Sequence, residues 1–309
     1  MGHIIDVLQT ILPVLLMLAI GILARSRGLI SREGINALKN VVVNITLPAV
    51  LLSAFATTRY TLMDVFIPLM MFLACFLAWW LGKAGARIFR LDSRFVPFLT
   101  TGFEAGMLGY ALFNMLYGSS RTAEFARIDL GQVLFVFTVY KMLLGMEGKE
   151  HTSLRSLMKE MLLSPIILSI AAGGLIGASG LYQALVPSGI SAIFDACTDF
   201  VSAPTSAIIL LTIGYDLVLR DIPVIPTCKV VALRFGIMML LRFAFIALLG
   251  LLWPSADLSA AITVMFILPP PFVLPVFADD ASQRVYVSSA LSVSTLVAIA
   301  GFAVLAAMG

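Results

Sequence analysis

The sequence predicts an all-α membrane protein with ten transmembrane helices, arranged as two inverted five-helix repeats. Of its 309 residues, 61% are hydrophobic and only 12% are charged, whereas soluble domains carry about 25% charged residues. One helical crossing needs about 20 apolar residues, so ten crossings use roughly 200 to 230 residues. The remainder is too short for a separate soluble domain.

Apolar segments separated by charged or turn residues define the ten spans. Their predicted limits are 4–24, 35–58, 63–86, 95–117, 126–146, 160–179, 187–213, 229–253, 258–278 and 283–307. The first segment lacks the basic start of a cleaved signal peptide, so we interpret it as a membrane helix. The most polar link follows the fifth span. It divides the chain into a first repeat (1–148), a link (149–159) and a second repeat (160–309).

Lysine and arginine residues favour one side of this arrangement. When the links after the odd-numbered helices are taken as cytoplasmic, Arg234 at the inner end of helix eight and most other basic residues fall on that side. Only Arg59, Arg121 and Arg127 fall on the other, and Arg242 stays within the membrane. Cytoplasmic loops carry an excess of basic residues. We therefore expect a multi-pass protein of the plasma (inner) membrane, with 149–159 cytoplasmic and both termini outside.

The first helices of the two halves share a pattern. Leu12 and Pro13 precede a glycine at position 21, and Ser164 and Pro165 precede a glycine at position 174. Because each repeat has five helices, an odd number, the second must run upside down relative to the first. Many secondary transporters have this plan and bind substrate near the middle of the membrane, between broken helices.

Helices four and nine carry residues that interrupt a helix. Helix four has Gly102, Glu104 and Gly106 near its centre, and helix nine has Pro269–Pro271. Three prolines remove three backbone donors and clash with the preceding turn. We predict that both helices break near Gly106 and Pro269–Pro271 and cross at the midplane, where the helix ends supply partial charges for an ion. The alternatives are close helix packing through Gly102 and Gly106, as at Gly173 and Gly177, and a kink without function.

Three ionisable residues lie near span centres: Glu104, Asp199 and Arg242, with Asp195 one turn further out. Such groups are costly in a membrane and usually face the bundle interior. With both acids ionised against Arg242, one negative charge is uncompensated, so we expect a proton on one acid or a cation nearby. Glu104 is our candidate for the proton-responsive group. A structural pair of Arg242 with Asp199 or Glu104 is the alternative.

A substrate carboxylate is expected to bind Arg242, because guanidinium offers two parallel hydrogen bonds. The other candidate substrate-binding residues are Asn44, Thr100, Thr101, Glu104, Gly106, Asp199, Pro269, Pro270 and Pro271. Asn44 lies one turn before Pro48, so it is either a ligand-facing amide or a local partner of a helix kink.

Several segments resemble the auxin efflux carrier family, in their order along the whole chain. They are the Asn44–Pro48 segment, Thr101–Phe103, Leu211–Leu217, and the proline cluster followed by Ala278–Asp280. The resemblance implies ten helices in two inverted repeats, crossing helices four and nine, and export or exchange of small organic anions. The family usually has an asparagine, which would bind a substrate carboxylate, where this chain has Thr100. It also has a Gly-x-Pro after the Thr-Gly-Phe stretch, where this chain has Glu104, which suggests proton coupling or a different ligand charge.

Two other functions are compared with anion transport. Gly177–Gly180 matches an intramembrane serine protease motif, but no histidine lies in a predicted span to act as base, so no enzyme is expected. A monovalent cation/proton antiporter of similar architecture is the serious alternative, because Glu104, Asp195 and Asp199 suit a cation. Arg242 favours an organic anion.

The expected partners are a small organic anion, protons and the lipid bilayer. We expect no nucleic acid partner, because basic residues are confined to short links. The three cysteines are far apart and neither histidine has a ligand neighbour, so we expect no metal and no cofactor. The sequence leaves open the substrate, the direction of flux and whether the chain forms a homodimer.

Overall fold

The computed structural model describes residues 2–58, 60–61, 63–91, 94–147, 156, 159, 162–217, 222–254, 257–278 and 280–308. Within these ranges every regular element is helical. Most of the predicted cytoplasmic link, 149–159, including Lys149 and Arg155, lies outside the described residues. Its position therefore stays a prediction.

The helices are numbered here in chain order. They are α1 (Gly2–Ser26), α2 (Arg32–Val41), α3 (Leu47–Ala56), α4 (Met63–Ile88), α5 (Val96–Leu99), α6 (Tyr110–Tyr117), α7 (Thr122–Phe135), α8 (Lys141–Glu147), α9 (Pro165–Ala178), α10 (Leu181–Leu185), α11 (Ile190–Ser202), α12 (Thr205–Asp216), α13 (Val224–Leu252), α14 (Ser259–Ile267) and α15 (Ala281–Met308). Three π-helical turns, Val42–Thr46, Ala105–Gly109 and Val136–Tyr140, lie between described α-helices.

Seven helical segments in the described part of the chain are long and apolar enough to cross a membrane. They are Leu8–Ser26, Arg32–Ala56, Met63–Ile88, Ser119–Gly145, Ile190–Asp216, Val224–Leu252 and Ala281–Met308. The pair Pro165–Ala178 and Leu181–Ser188, bent by 64°, passes the same test as a broken span. Predicted spans four and nine are the ones divided into shorter helices. The fold is therefore that of an all-helical multi-pass membrane protein, while ten crossings and the inverted repeat remain predictions.

The chain divides into two compact units. Unit 1 comprises residues 1–65, 106–127 and 159–217, and unit 2 comprises 66–105, 128–158 and 218–309. Each unit thus draws on sequence from both sides of the predicted link.

Small residues allow close helix packing inside unit 1. A Cβ added to Gly21 of α1 or to Gly214 of α12 would lie 2.2 Å from a carbonyl oxygen of the other helix. Gly173 and Gly177 of α9 face carbonyl oxygens of α3 in the same way, at 2.6 Å. Backbones this close leave no room for a side chain, so the predicted packing role of Gly173 and Gly177 is confirmed.

Aromatic rings fix the interior of unit 2 around the predicted breaks. Phe103 meets Phe266 edge to face at 5.3 Å between ring centroids, and Phe98 meets Tyr140 in the same way at 5.3 Å. The Tyr140 hydroxyl also donates to the Phe98 carbonyl oxygen at 3.2 Å. These contacts join α5, α14 and the π-helical turn of helix five.

Candidate substrate site at two helix breaks

Helix four is interrupted, as predicted. It consists of α5, a non-helical segment over 100–104, a π-helical turn and α6. Gly102 has a φ of 66°, in the left-handed region that glycine adopts without strain. Its missing side chain also matters, because a Cβ would lie 2.9 Å from Cγ of Pro271. The break therefore begins before Gly106, and Gly102 does not belong to a packing pair on one continuous helix.

Helix nine is interrupted at its three prolines. α14 ends at Ile267, the segment 268–273 is not helical, and a short 3₁₀ turn follows at Leu274–Phe277. Pro269–Pro271 have no backbone N–H. Phe272 is thus the first residue after Leu268 that offers a backbone donor. The physical cause of this break is the one that the sequence predicted.

Glu104 joins the two breaks. Its backbone N–H donates to the Pro269 carbonyl oxygen at 2.9 Å, and its side-chain Oε2 accepts a hydrogen bond from the Phe272 N–H at 2.6 Å. The side chain is half-buried. The one amide that follows the prolines is therefore bound to a carboxylate of the protein itself. Crossing of the two complete helices remains a prediction.

The Arg234 side chain closes both breaks. Its guanidinium donates to the carbonyl oxygens of Leu99, Thr101, Gly102 and Leu268, at 3.1, 3.5, 2.8 and 2.8 Å. A broken helix leaves such carbonyls without donors, which is costly in an apolar interior. The planar fork of donors suits this arrangement, and only 4% of the residue is exposed. Arg234 thus replaces backbone donors that the two breaks lack.

The sequence-based position of Arg234 was wrong. It was placed at the inner end of helix eight, but α13 begins at Val224, and at 1.5 Å per residue Arg234 lies about 15 Å into the helix. The signal was available, because Arg234 falls inside the apolar span 229–253 and broken helices need donors. The sequence does not say which donor meets which carbonyl, and that information was missing.

A second polar pair supports the break of helix four from helix five. The Phe103 N–H donates to Oε1 of Gln132 at 3.3 Å, and Nε2 of Gln132 donates to Oδ1 of Asp129 at 2.9 Å. Asp129 and Gln132 are three residues apart on α7, so they share one helix face, and both are buried. Sequence reasoning missed both residues, although an acid inside predicted span five is the same signal that identified Glu104.

The two predicted threonines are fully buried and hold backbone. Oγ1 of Thr100 donates to the carbonyl oxygens of Val96 and Pro97 at 3.0 Å each, and Oγ1 of Thr101 donates to that of Cys75 at 2.5 Å. These bonds close carbonyls of α5 and α4 near the break. Contact of either hydroxyl with a substrate remains a prediction.

The whole chain also matches a known protein family. A family model described as a membrane transport protein covers residues 6–306, which includes both helix breaks and Arg234. The chain belongs to the auxin efflux carrier family. A comparison with curated proteins finds no significant match. The transporter is therefore a multi-pass membrane transport protein, as its resemblance and its apolar helices predicted.

Of the transporter's predicted site residues, Thr100, Thr101, Glu104 and Pro269–Pro271 come together at the breaks of unit 2. Arg242 also belongs to unit 2, where its Nε donates to Oγ1 of Thr263 at 3.0 Å. Thr263 lies on α14, the helix that leads into the proline break. Its guanidinium carbon is 5.0 Å from the ring centroid of Phe243.

The remaining predicted residues belong to unit 1. Asn44 is exposed in the π-helical turn after α2, and its Nδ2 donates to the Asn40 carbonyl oxygen at 2.9 Å, so it makes the local helix contact that the sequence offered as one alternative. Asp199 is exposed on α11, and Gly106 lies in the π-helical turn before α6. Their contact with substrate is not tested by these observations.

Proposed function

We propose that this transporter is a secondary active carrier that exports or exchanges a small organic anion, a carboxylate, with coupling to protons. The observation that carries the proposal is the bond from the Phe272 N–H to the Glu104 carboxylate. It demonstrates that the break of helix nine offers a donor suited to a carboxylate. A buried arginine bound to the adjoining carbonyls makes the local charge favourable for an anion.

The proposed binding set comprises the breaks and the polar residues predicted with them. Arg242 binds the substrate carboxylate in two parallel hydrogen bonds, and the half-helix ends near Gly106 and Pro271 supply partial positive charge. The other members are Asn44, Thr100, Thr101, Glu104, Asp199, Pro269 and Pro270. Glu104 is the group that takes up and releases the proton.

The proposed topology has ten transmembrane helices, with 1–148 and 160–309 as inverted repeats and helices four and nine crossing at the midplane. The protein lies in the plasma membrane with both termini outside and the link 149–159 in the cytoplasm. A cysteine introduced at Ser153 should stay unlabelled by an impermeant maleimide on intact cells and react after permeabilisation. Labelling from outside would overturn this orientation.

Binding by the purified protein, reconstituted in lipid, tests the substrate class. Titrations with short carboxylates and with monovalent cations are run side by side, with an unrelated empty membrane protein as the blank. Saturable carboxylate binding is the expected result. Binding of monovalent cations without carboxylates would replace the proposal with a cation/proton antiporter.

Substitution of Arg242 tests its role in the site. Arg242→Lys keeps the charge but loses the planar fork, so carboxylate affinity should fall about tenfold or more. The double change Arg242→Gln with Asp199→Asn separates a ligand from a structural charge pair. Near-normal affinity in the double variant would remove Arg242 from the substrate site.

A further inference from the structure

The break of helix nine has one donor where a substrate anion needs one. Three successive prolines contribute none, and the Leu268 N–H is bound to the Met265 carbonyl oxygen at 3.1 Å. The Phe272 N–H is the next along the chain, and Glu104 accepts it. A substrate carboxylate at this break therefore meets a carboxylate that already holds its donor.

We infer that Glu104 is a built-in competitor of the substrate: its ionised carboxylate occupies the anion position at Phe272, and its protonated form gives that position up. The inference rests on the proposed function and extends it by fixing the sign of the coupling. A charge-assisted hydrogen bond is roughly twice as strong as a neutral one, so protonation loosens the hold of Glu104 on Phe272. The neutral carboxyl also gains an O–H that can donate to the arriving anion.

Electrostatic repulsion acts in the same direction. Two carboxylates at one donor repel each other at short range, and a half-buried site screens that repulsion weakly. Substrate and proton therefore bind to the same form of the protein. They must then move in the same direction across the membrane, so net anion flux follows the proton gradient while exchange of anion for anion does not require it.

The other ionisable groups around the breaks have their own partners. Arg234 is held by four carbonyl oxygens, Asp129 by Gln132, and Tyr140 by the Phe98 carbonyl. Cys75 on α4, the remaining thiol of this group, is buried. Among them, Glu104 alone has its carboxylate on the break amide, so it is the group whose protonation opens that amide.

Binding of acetate, malonate and benzoate to the reconstituted wild-type protein and to Glu104→Gln, measured from pH 5 to 8, tests the inference. For the wild type, the dissociation constant of a bound probe should rise with pH, approaching tenfold per unit once Glu104 is ionised. In Glu104→Gln it should be nearly independent of pH and tighter than wild type at pH 8. Glu104→Asp keeps the charge and should keep the pH dependence.

Glu33→Gln is the matched control, because it removes one carboxylate from the exposed first turn of α2 and should leave both affinity and pH dependence unchanged. Proton uptake by the wild type on adding the probe, followed with a pH indicator in weak buffer, gives a second readout without any variant. Uptake approaching one proton per bound anion is expected at neutral pH. Release of protons, or no change, would overturn the inference.

The outcomes separate the inference from the function beneath it. Equal affinity and equal pH dependence in wild type and Glu104→Gln would disprove the competitor role while leaving a carboxylate carrier. Failure of both proteins to bind any of the three carboxylates would disprove the proposed function and the inference with it.

Discussion

Two regions of this transporter interrupt a helix with proline, and they satisfy the interrupted backbone in different ways. In unit 1, Pro48 follows the π-helical turn Val42–Thr46, and the Asn44 side chain donates to a carbonyl one turn back. The helix continues across this proline as the candidate span Arg32–Ala56. In unit 2, the breaks at 100–104 and 268–273 divide both helices.

The difference lies in how many donors are lost. One proline removes one N–H, and a π turn with a nearby amide absorbs the change within a single helix. Three prolines together with a left-handed glycine leave carbonyls that no neighbour in sequence can reach. Unit 2 therefore uses a charged side chain from another helix, Arg234, and the break becomes a fixed polar site inside the membrane.

The largest expected effect is that of Arg234→Gln. It removes a guanidinium that serves four carbonyl oxygens in an apolar interior, and bonds to charged groups contribute about 1.5–3 kcal/mol each. We expect a loss of at least about 3 kcal/mol in stability. Thermal unfolding of the detergent-solubilised protein measures it, with Arg234→Lys expected between the two. A Gln variant as stable as wild type would show that the breaks need no distant donor.

Gly102→Ala should have the next largest effect. The left-handed backbone at Gly102 costs an alanine about 1–2 kcal/mol, and the added methyl group meets Pro271 at 2.9 Å. Thermal unfolding is again the measurement. Gly106→Ala is the matched control, because a Cβ there meets only Leu47, at an ordinary 3.5 Å. Equal unfolding temperatures for the two variants would contradict the strain assigned to Gly102.

Asn44→Ala should have the smallest effect on folding. It removes one exposed hydrogen bond within its own helix, so stability should change by about 0.5 kcal/mol or less. Carboxylate affinity is the informative readout, since a ligand-facing amide would lower affinity without lowering stability. A loss of several kcal/mol in stability would instead mean that the proline segment of unit 1 depends on Asn44 as unit 2 depends on Arg234.

The sequence by itself determined the features that depend on local chemistry. Its apolar segments indicate an all-helical membrane protein, and proline and glycine place the breaks of helices four and nine, because a missing N–H or a positive φ acts on the nearest turn. Glu104 was identified in the same way, since an acid in an apolar span has to face protein or a polar cavity. These residues announce themselves without knowledge of their neighbours.

Only the tertiary structure decided which groups satisfy those breaks. Arg234 is 135 positions from Leu99 and 34 from Leu268, and Phe272 is 168 positions from Glu104. Sequence distances of that size contain no information on contact. The same rule that exposed Glu104 applied to Asp129 and Arg234, yet a charge count by helix ends assigned Arg234 to the membrane surface. Burial and hydrogen bonding depend on packing between helices, and packing is what placed Arg234 and Glu104 at one pair of breaks.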